Sequence, residues 1–219
     1  MSEIQGPQPG PEFIAQRAVL DDGLEEMGIS ASPDQRDQLL AFLTLLQRWS
    51  RAYNLTAIVQ PAEMVARHLL DSLSILPYLS GRRFLDAGTG PGLPGIPLAI
   101  VHPDRELILL DSNGKKVRFL RQVRRELALA NVEPVQGRLE NGRVAAPLDA
   151  VVARALAPLE RLVHWSRRWL DQGVPLLAMK GDLSESELLA VPEPYNVRVD
   201  ELKIPGLRVR RCLATVEKR

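Results

Sequence analysis

From Arg83 onward, short apolar runs alternate with longer segments in which apolar residues recur every three or four positions. Short apolar runs between turn residues are typical of buried strands, and the longer spacing is typical of helices with one buried face. Strands are predicted at 83–87, 106–110, 132–136, 148–153 and 174–179, and helices at 94–102, 114–130, 158–170 and 182–190. The alternation predicts a parallel sheet with helices on both sides.

Two later segments have a different pattern. Residues 195–203 and 207–216 alternate apolar and polar positions, and Pro205-Gly206 lies between them. A period of two predicts strands that bury one face, and the proline and glycine predict a turn. We therefore expect an antiparallel hairpin at the edge of the sheet.

Before the first strand the apolar pattern is helical throughout. Ser32 and Pro33 form a strong helix start, because serine can cap a helix and proline suits its first position. Helices are predicted over 13–28, from 32 to about 51, and from 61 to about 77.

These elements divide the chain into three parts. Residues 1–12 are rich in proline, glycine and glutamine, and we expect a disordered leader there, without the basic start and apolar core of a signal peptide. Residues 13–80 are expected to form a helical cap, and residues 81–219 an α/β core that makes one structural unit with it. No apolar run reaches the roughly 18 residues that a membrane span needs.

The segment 84–100 carries the strongest chemical signal, since an apolar strand, a glycine-rich turn and an apolar helix follow one another. On an open α/β sheet this arrangement is typical of a nucleotide-type cofactor site. The spacing of Gly88 and Gly90 is weak evidence by itself. Asp111, at the end of the next strand, fits a dinucleotide or S-adenosylmethionine, because an acid there can bind ribose hydroxyls. The position of Asp86, two residues before Gly88, resembles the first motif of the S-adenosylmethionine-dependent methyltransferases, in which an edge hairpin is also usual. This resemblance favours S-adenosylmethionine.

Charge and cysteine content narrow the class of protein further. The net charge is only +1, but basic residues crowd the segments 115–125 and 208–211. The first segment predicts an RNA-binding patch, and a solvated helix face is the open alternative. The single cysteine, Cys212, excludes an internal disulfide and a cysteine-rich metal site, and it fits a reducing, cytoplasmic setting.

Eight short motifs resemble the bacterial small-subunit ribosomal RNA methyltransferase G family, also called glucose-inhibited division protein B. They occur in family order between about residues 35 and 181. One departure is Asn113-Gly114, where the family often has a larger apolar residue, and it lies at a helix cap. The motifs are Ala52–Thr56, Arg67–Ser72, Asp86–Ile100, Leu110–Ser112, Lys115-Lys116, Gly137–Glu140, Ala153–Ala155 and Met179–Gly181.

The resemblance implies a Rossmann-like class I S-adenosylmethionine-dependent methyltransferase fold. It also implies methyl transfer from S-adenosylmethionine to N7 of a guanosine in the decoding region (530 loop) of 16S rRNA. The partner would then be 16S rRNA or the small ribosomal subunit. Asp111 is the expected ribose partner, and Gly90 belongs to the same cofactor loop as Gly88. The remaining implied cofactor contacts are Gly88, Leu93, Leu139, Glu140 and Arg154.

Methylation of N7 needs no general base, because N7 is a lone-pair nucleophile without a proton and the sulfonium is a built-in leaving group. We therefore expect no metal and no certain catalytic residue, and catalysis by alignment of N7, the methyl carbon and sulfur. Arg138, Lys180 and His68 are the positioning candidates. Arg138 suits guanine O6 or a phosphate, and Lys180 suits a phosphate or a base, but both also fit as surface charges. His68 shares a helix face with Asp71, so it either closes the cap over the pocket or is a packed histidine beside an acid.

Other roles stay open for the remaining charged residues. Arg154 suits the cofactor carboxylate or an RNA phosphate. Asp111 also suits a helix cap, and Glu140 also suits a solvated loop. Asp86 orients the glycine loop, meets the methionine amino group or is a purely structural turn acid.

Three rival functions also stay open on the residues alone. They are a small-molecule methyltransferase, a nicotinamide-dependent oxidoreductase and a non-catalytic RNA-binding module. RNA binding would weaken sharply with salt, whereas a small-molecule enzyme would show little salt dependence. We expect a cytoplasmic monomer without a membrane partner.

Overall fold

The computed structural model describes residues 11–58, 60–141, 144 and 147–219, and it contains a seven-stranded sheet in the order β3-β2-β1-β4-β5-β7-β6. β1 to β5 are parallel, and β7 runs antiparallel to both of its neighbours. This topology confirms the predicted parallel sheet with an antiparallel hairpin at one edge. The strands are β1 Arg83–Ala87, β2 Glu106–Asp111, β3 Val132–Gln136, β4 Ala150–Arg154, β5 Leu176–Lys180, β6 Tyr195–Glu201 and β7 Cys212–Lys218.

Helices cover both faces of the sheet, and the helical segment before β1 is here called the cap. Ser32 caps α2 as predicted, because its side chain accepts a hydrogen bond from the Gln35 N–H. The Gln35 side chain in turn accepts one from the Ser32 N–H. A π-helical stretch, Val65–Leu70, joins α3 to α4. The helices are α1 Pro11–Glu26, α2 Pro33–Tyr53, α3 Pro61–Met64, α4 Asp71–Leu73, α5 Gly95–Val101, α6 Gly114–Glu126, α7 Leu159–Leu170 and α8 Glu185–Leu189.

The central strands are buried on both faces, which explains why their sequences are continuously apolar. Successive side chains point to opposite faces, so Phe84 and Leu85 belong to two different buried clusters. The first cluster also contains Leu43 of α2 and Leu70 of the cap, and the second contains Leu162 of α7. Cap and core therefore share one apolar cluster.

Residues 1–10 of the expected leader lie outside the described residues, and α1 begins at Pro11. Among the residues that the structure describes, no helix has both the length and the apolar character needed to cross a membrane.

The end of α6 differs from the prediction, which extended the helix to residue 130. The helix ends at Glu126, and Ala128 has a positive φ of 51°. The Leu129 N–H donates to Arg124 O at 3.0 Å and the Ala128 N–H donates to Arg125 O at 3.3 Å, which is a Schellman ending. The apolar spacing continues through this turn, so the pattern concealed the end of the helix.

The start of β7 also differs from the prediction. The strand covers Cys212–Lys218 rather than 207–216. Leu202, Ile204 and Leu207, which extended the apolar pattern of the hairpin, instead pack against the first buried cluster from the loop between β6 and β7. Their apolar character reflects this packing and not strand pairing.

Candidate cofactor and substrate site

The glycine-rich loop between β1 and α5 follows a backbone path that most side chains disfavour. Gly88 and Gly90 have φ values of 64° and 61°, in the left-handed region. A Cβ on Gly90 would meet no atom closer than Lys116 Nζ at 3.9 Å, so this position faces open space. The loop therefore presents bare main chain at the carboxyl end of β1, where a ligand can approach closely.

Asp86 anchors this loop from inside the protein. Its Oδ2 accepts hydrogen bonds from the Thr89 hydroxyl at 2.6 Å and from the Gly95 N–H at 2.8 Å. The residue is 1% exposed, and its Oδ1 has no partner among the described residues. Burial raises the pKa of Asp86 to about 6, although both hydrogen bonds act to lower it. These two hydrogen bonds hold the glycine loop, which is one of the roles expected of Asp86.

Asp111 joins the glycine loop to the start of α6. Its Oδ2 accepts a hydrogen bond from the Gly90 N–H at 3.0 Å, and its Oδ1 accepts one from the Asn113 N–H at 2.8 Å. Lys116 Nζ lies 3.7 Å from Oδ2. Asn113 caps α6, since its side chain accepts from the Lys115 N–H. Asp111 therefore holds the glycine loop, and Asn113 rather than Asp111 caps the start of α6.

Two cavities meet at Gly88 along the carboxyl ends of the strands. The first, here called the inner cleft, has a volume of about 440 Å³ and lies between β4, β5 and the cap. The second, here called the outer cavity, has a volume of about 270 Å³ and lies beside β2. Leu156 covers Gly88, because a Cβ on that glycine would lie 2.3 Å from Leu156 Cδ1.

All seven predicted cofactor residues line one of these cavities. Gly88 lines both of them. The inner cleft adds Gly90, Leu93 and Arg154, and the outer cavity adds Asp111, Leu139 and Glu140. The three positioning candidates are divided, since His68 and Lys180 line the inner cleft and the exposed Arg138 lines the outer cavity.

Asp71 organises the wall of the inner cleft through two arginines. Arg154 Nη1 donates to Asp71 Oδ2 at 2.8 Å and to Arg67 O at 3.1 Å. Arg211 Nε donates to Asp71 Oδ1 at 3.0 Å. Asp71 is 3% exposed, so both of its oxygens are compensated within a buried network. Arg211 belongs to the basic segment 208–211, but its contact with Asp71, 140 positions earlier, was not predicted.

His68 is a buried residue whose partner is not the expected acid. Its Nε2 lies 3.0 Å from Thr56 Oγ1, and its Nδ1 has no partner among the described residues. Burial, followed by the positive charge of Arg154, lowers the pKa of His68 to about 4. The imidazole is therefore neutral at neutral pH.

Lys180 is held inside the protein by two acceptors. Its Nζ donates to Glu187 Oε1 at 2.6 Å and to Ala157 O at 2.8 Å. Glu187 Oε1 also accepts from the Leu159 N–H at 2.7 Å, at the start of α7. Lys180 therefore fixes the loop that carries Leu156 as well as lining the cleft.

Comparisons with known proteins agree on one family. The family described as "GidB: rRNA small subunit methyltransferase G" matches residues 35–213. A relative from Salmonella arizonae named "Ribosomal RNA small subunit methyltransferase G" is 48% identical over 195 residues, which are 89% of this chain and 94% of the relative. A relative of the same name from Escherichia coli O1:K1 is 47% identical over the same shares of both chains.

Solved structures show the same fold at low sequence identity. Cofactor-bound Rv0187 from MTB aligns with a TM-score of 0.59 and 20% identity, over 97% of this chain and 99% of that chain. A SAM dependent methyltransferase from Aquifex aeolicus aligns with a TM-score of 0.53 and 16% identity, over 70% of this chain and 92% of that chain. These similarities confirm the Rossmann-like class I methyltransferase fold.

Proposed function

This chain belongs to the rRNA small subunit methyltransferase G family, and on that premise we propose that it methylates N7 of a guanosine in the 530 loop of 16S rRNA. It is an S-adenosylmethionine-dependent rRNA methyltransferase, as the sequence predicted. This membership excludes the nicotinamide-dependent and non-catalytic alternatives. The target atom and its position in the rRNA are the parts that belong to the proposal.

The observation that carries the proposal is the charge of the inner cleft. Five cations line it, and three carboxylates pair with four of them: Asp71 with Arg154 and Arg211, Glu187 with Lys180, and Asp111 with Lys116. The cations therefore exceed the acids by two. A cleft of this kind favours a polyanionic substrate, whose phosphates the cations can bind. The five cations are Arg67, Lys116, Arg154, Lys180 and Arg211.

The residues present fit S-adenosylmethionine. Asp111, Leu139 and Glu140 would hold the adenosine part in the outer cavity, with the Asp111 carboxylate suited to ribose hydroxyls. The open main chain at Gly90 leaves room beside it for the methionine part, and Arg154 offers a guanidinium to a carboxylate. When bound, the cofactor supplies a methyl group on a positively charged sulfur.

The chain's own residues contribute position rather than proton transfer. N7 has no proton to lose, and the neutral His68, with its low pKa of about 4, is a weak base. Asp71 fixes Arg154 and Arg211 on one wall, and Glu187 fixes Lys180 on another. These ion pairs hold the cationic groups in set positions, so that a bound guanosine is oriented before it reacts.

The experiment is methyl transfer from labelled S-adenosylmethionine to bare 16S rRNA, small subunits, large subunits and a pool of small metabolites. The product is then mapped by chemical cleavage at 7-methylguanosine. Label at one guanosine of the 530 loop is the expected result. Label on another atom or nucleotide of 16S rRNA would refute the N7 assignment, and label only on a small molecule would refute the RNA substrate. The proposed substrate implies a cytoplasmic location, which stays a prediction together with the monomeric state.

A further inference from the structure

The outward face of α6 carries an uncompensated positive charge. Its buried side packs Val117, Phe119, Leu120 and Val123 into the protein, so the arginines at the intervening positions are exposed. Within the described part of the chain, none of these arginines forms an ion pair, and the Arg125 side chain donates a hydrogen bond to the uncharged Gln122 side chain. Glu126 is the single acid of the helix. The exposed arginines are Arg118, Arg121, Arg124 and Arg125.

The end of α2 places aromatic rings beside these charges. The rings of Trp49 and Tyr53 stack with centroids 5.3 Å apart and planes tilted by 26°. Trp49 also contacts Phe119 of α6, with centroids 5.5 Å apart. A groove of about 690 Å³ runs between Trp49 and the arginines of α6. Tyr53 is 37% exposed, so its ring is accessible at the end of the stack.

This surface leads into the inner cleft. The side chain of Gln38, near the start of α2, donates a hydrogen bond to Leu127 O, just after the end of α6. Trp49, near the end of α2, contacts Phe119 in the first half of α6. The two helices are therefore antiparallel. Tyr53 therefore lies toward the amino-terminal end of α6, where Lys116 lines the inner cleft. Ile58, five residues after Tyr53, lines the same cleft. Cations and aromatic rings thus continue from the cleft along the two helices.

We infer that this surface, the α2–α6 face made of Trp49, Tyr53, Arg118, Arg121, Arg124 and Arg125, docks a single-stranded segment of rRNA next to the methylated nucleotide. The inference rests on the proposed function, since it assigns the part of the protein that holds the same substrate outside the cleft. Bases stack on exposed aromatic rings in single-strand binding, while arginines bind the phosphates. Arg118, Arg121 and Arg125 lie about 5 Å apart along the helix axis, one per turn.

The composition of the face favours RNA over an apolar partner. Of its residues, Tyr53 is the one exposed large hydrophobic side chain, so the face lacks the apolar area that a membrane or a partner helix would bury. Its charge is of one sign, which suits a regular polyanion.

The test measures the affinity for a 16S rRNA fragment that contains the 530 loop, at several salt concentrations. The variant is Arg118→Gln/Arg121→Gln/Arg125→Gln. Its matched control is Arg167→Gln/Arg198→Gln/Arg219→Gln, which removes the same charge at the opposite edge of the sheet, where each arginine pairs with an acid. We expect the first variant to bind the fragment roughly tenfold more weakly, with a salt slope lower by about 2 to 3 units. Its affinity for S-adenosylmethionine should equal that of the wild type.

A second pair of variants tests the aromatic part. Tyr53→Ala should weaken RNA binding roughly tenfold, and Tyr53→Phe should restore it, because stacking needs the ring and not the hydroxyl. KM for RNA should rise in both the arginine variant and Tyr53→Ala, with kcat close to the wild-type value at saturating RNA. The inference would be overturned if the arginine variant and its control had equal salt slopes. It would also be overturned if the arginine variant lost binding to anionic vesicles but kept its binding to RNA. If the wild type labels no rRNA, the proposed function fails instead, and that result is separate from the behaviour of the variants.

Discussion

Replacement of Asp86 by asparagine should change how the stability of the protein depends on pH. The pKa of Asp86 is about 6 in the folded protein and 3.8 when the carboxyl is solvated. A difference of about 2 units corresponds to about 3 kcal/mol. Between these two values the folded state holds a proton that the unfolded state has released. The stability that this proton contributes is present below about pH 4 and is lost as the pH rises through 6.

The asparagine of the Asp86→Asn variant does not titrate, so the variant lacks this loss. The amide oxygen can still accept from Thr89 and Gly95, which keeps the loop anchored. We therefore expect the free energy of unfolding of Asp86→Asn, relative to the wild type, to increase by about 3 kcal/mol from pH 4 to pH 7. Most of the increase should fall between pH 4 and 6.

Urea unfolding of both proteins at pH 4, 5, 6 and 7 measures this difference directly. Asp149→Asn is the control, because hydrogen bonds from the Arg83 and Arg82 N–H groups lower the pKa of Asp149. That change should give no increase over the same pH range. A difference between Asp86→Asn and the wild type that is flat or falls with pH would refute the burial argument.

Three further sets of variants probe the walls of the site. The stability of His68→Gln should fall less than that of the wild type as the pH is lowered from 6.5 to 4, because the low pKa of His68 stabilises the folded state only above this range. Unfolding measured as the pH is lowered tests this, and an equal loss of stability in both proteins would contradict the prediction. Asp111→Ala should weaken S-adenosylmethionine binding, measured by calorimetry, far more than RNA binding. Lys180→Ala should leave cofactor affinity unchanged and lower the rate of methyl transfer. If Asp111→Ala weakened only RNA binding and Lys180→Ala only cofactor binding, Asp111 would belong to the substrate side and Lys180 to the cofactor side. Asp71→Asn should reduce stability by roughly 3 kcal/mol, since it removes the buried charge that pairs with two partly exposed guanidinium groups. An unchanged melting temperature in thermal unfolding would contradict this.

The glycine-rich loop could be predicted from the sequence because its determinants are local. Asp86, Gly88 and Gly90 lie within five residues, and the apolar runs on either side of them indicate a turn between a strand and a helix. Asp111 was expected because an acid at the end of the next strand can bind ribose hydroxyls. The parallel pairing of β1 with β2 brings it to the Gly90 N–H.

The wall of the inner cleft around Asp71 could not be predicted in the same way. Arg211 reaches Asp71 only because β7 pairs with β5, and no local pattern connects residues 140 positions apart. The partner of His68 was also missed, since the helical spacing to Asp71 suggested an acid whereas the fold supplies Thr56. The left-handed Ala128 ended α6 without a glycine to mark it.

The position of β7 in the sheet has a consequence for the order of folding. β7 lies between β5 and β6 and brings Arg211 to Asp71. The glycine loop and Asp111 depend on β1 and β2, whose pairing closes a short loop, whereas the wall of the inner cleft requires a contact across 140 residues. Long-range contacts form late, because the entropy of loop closure must first be offset. The nascent protein would therefore form the glycine-rich loop before it forms the complete inner cleft.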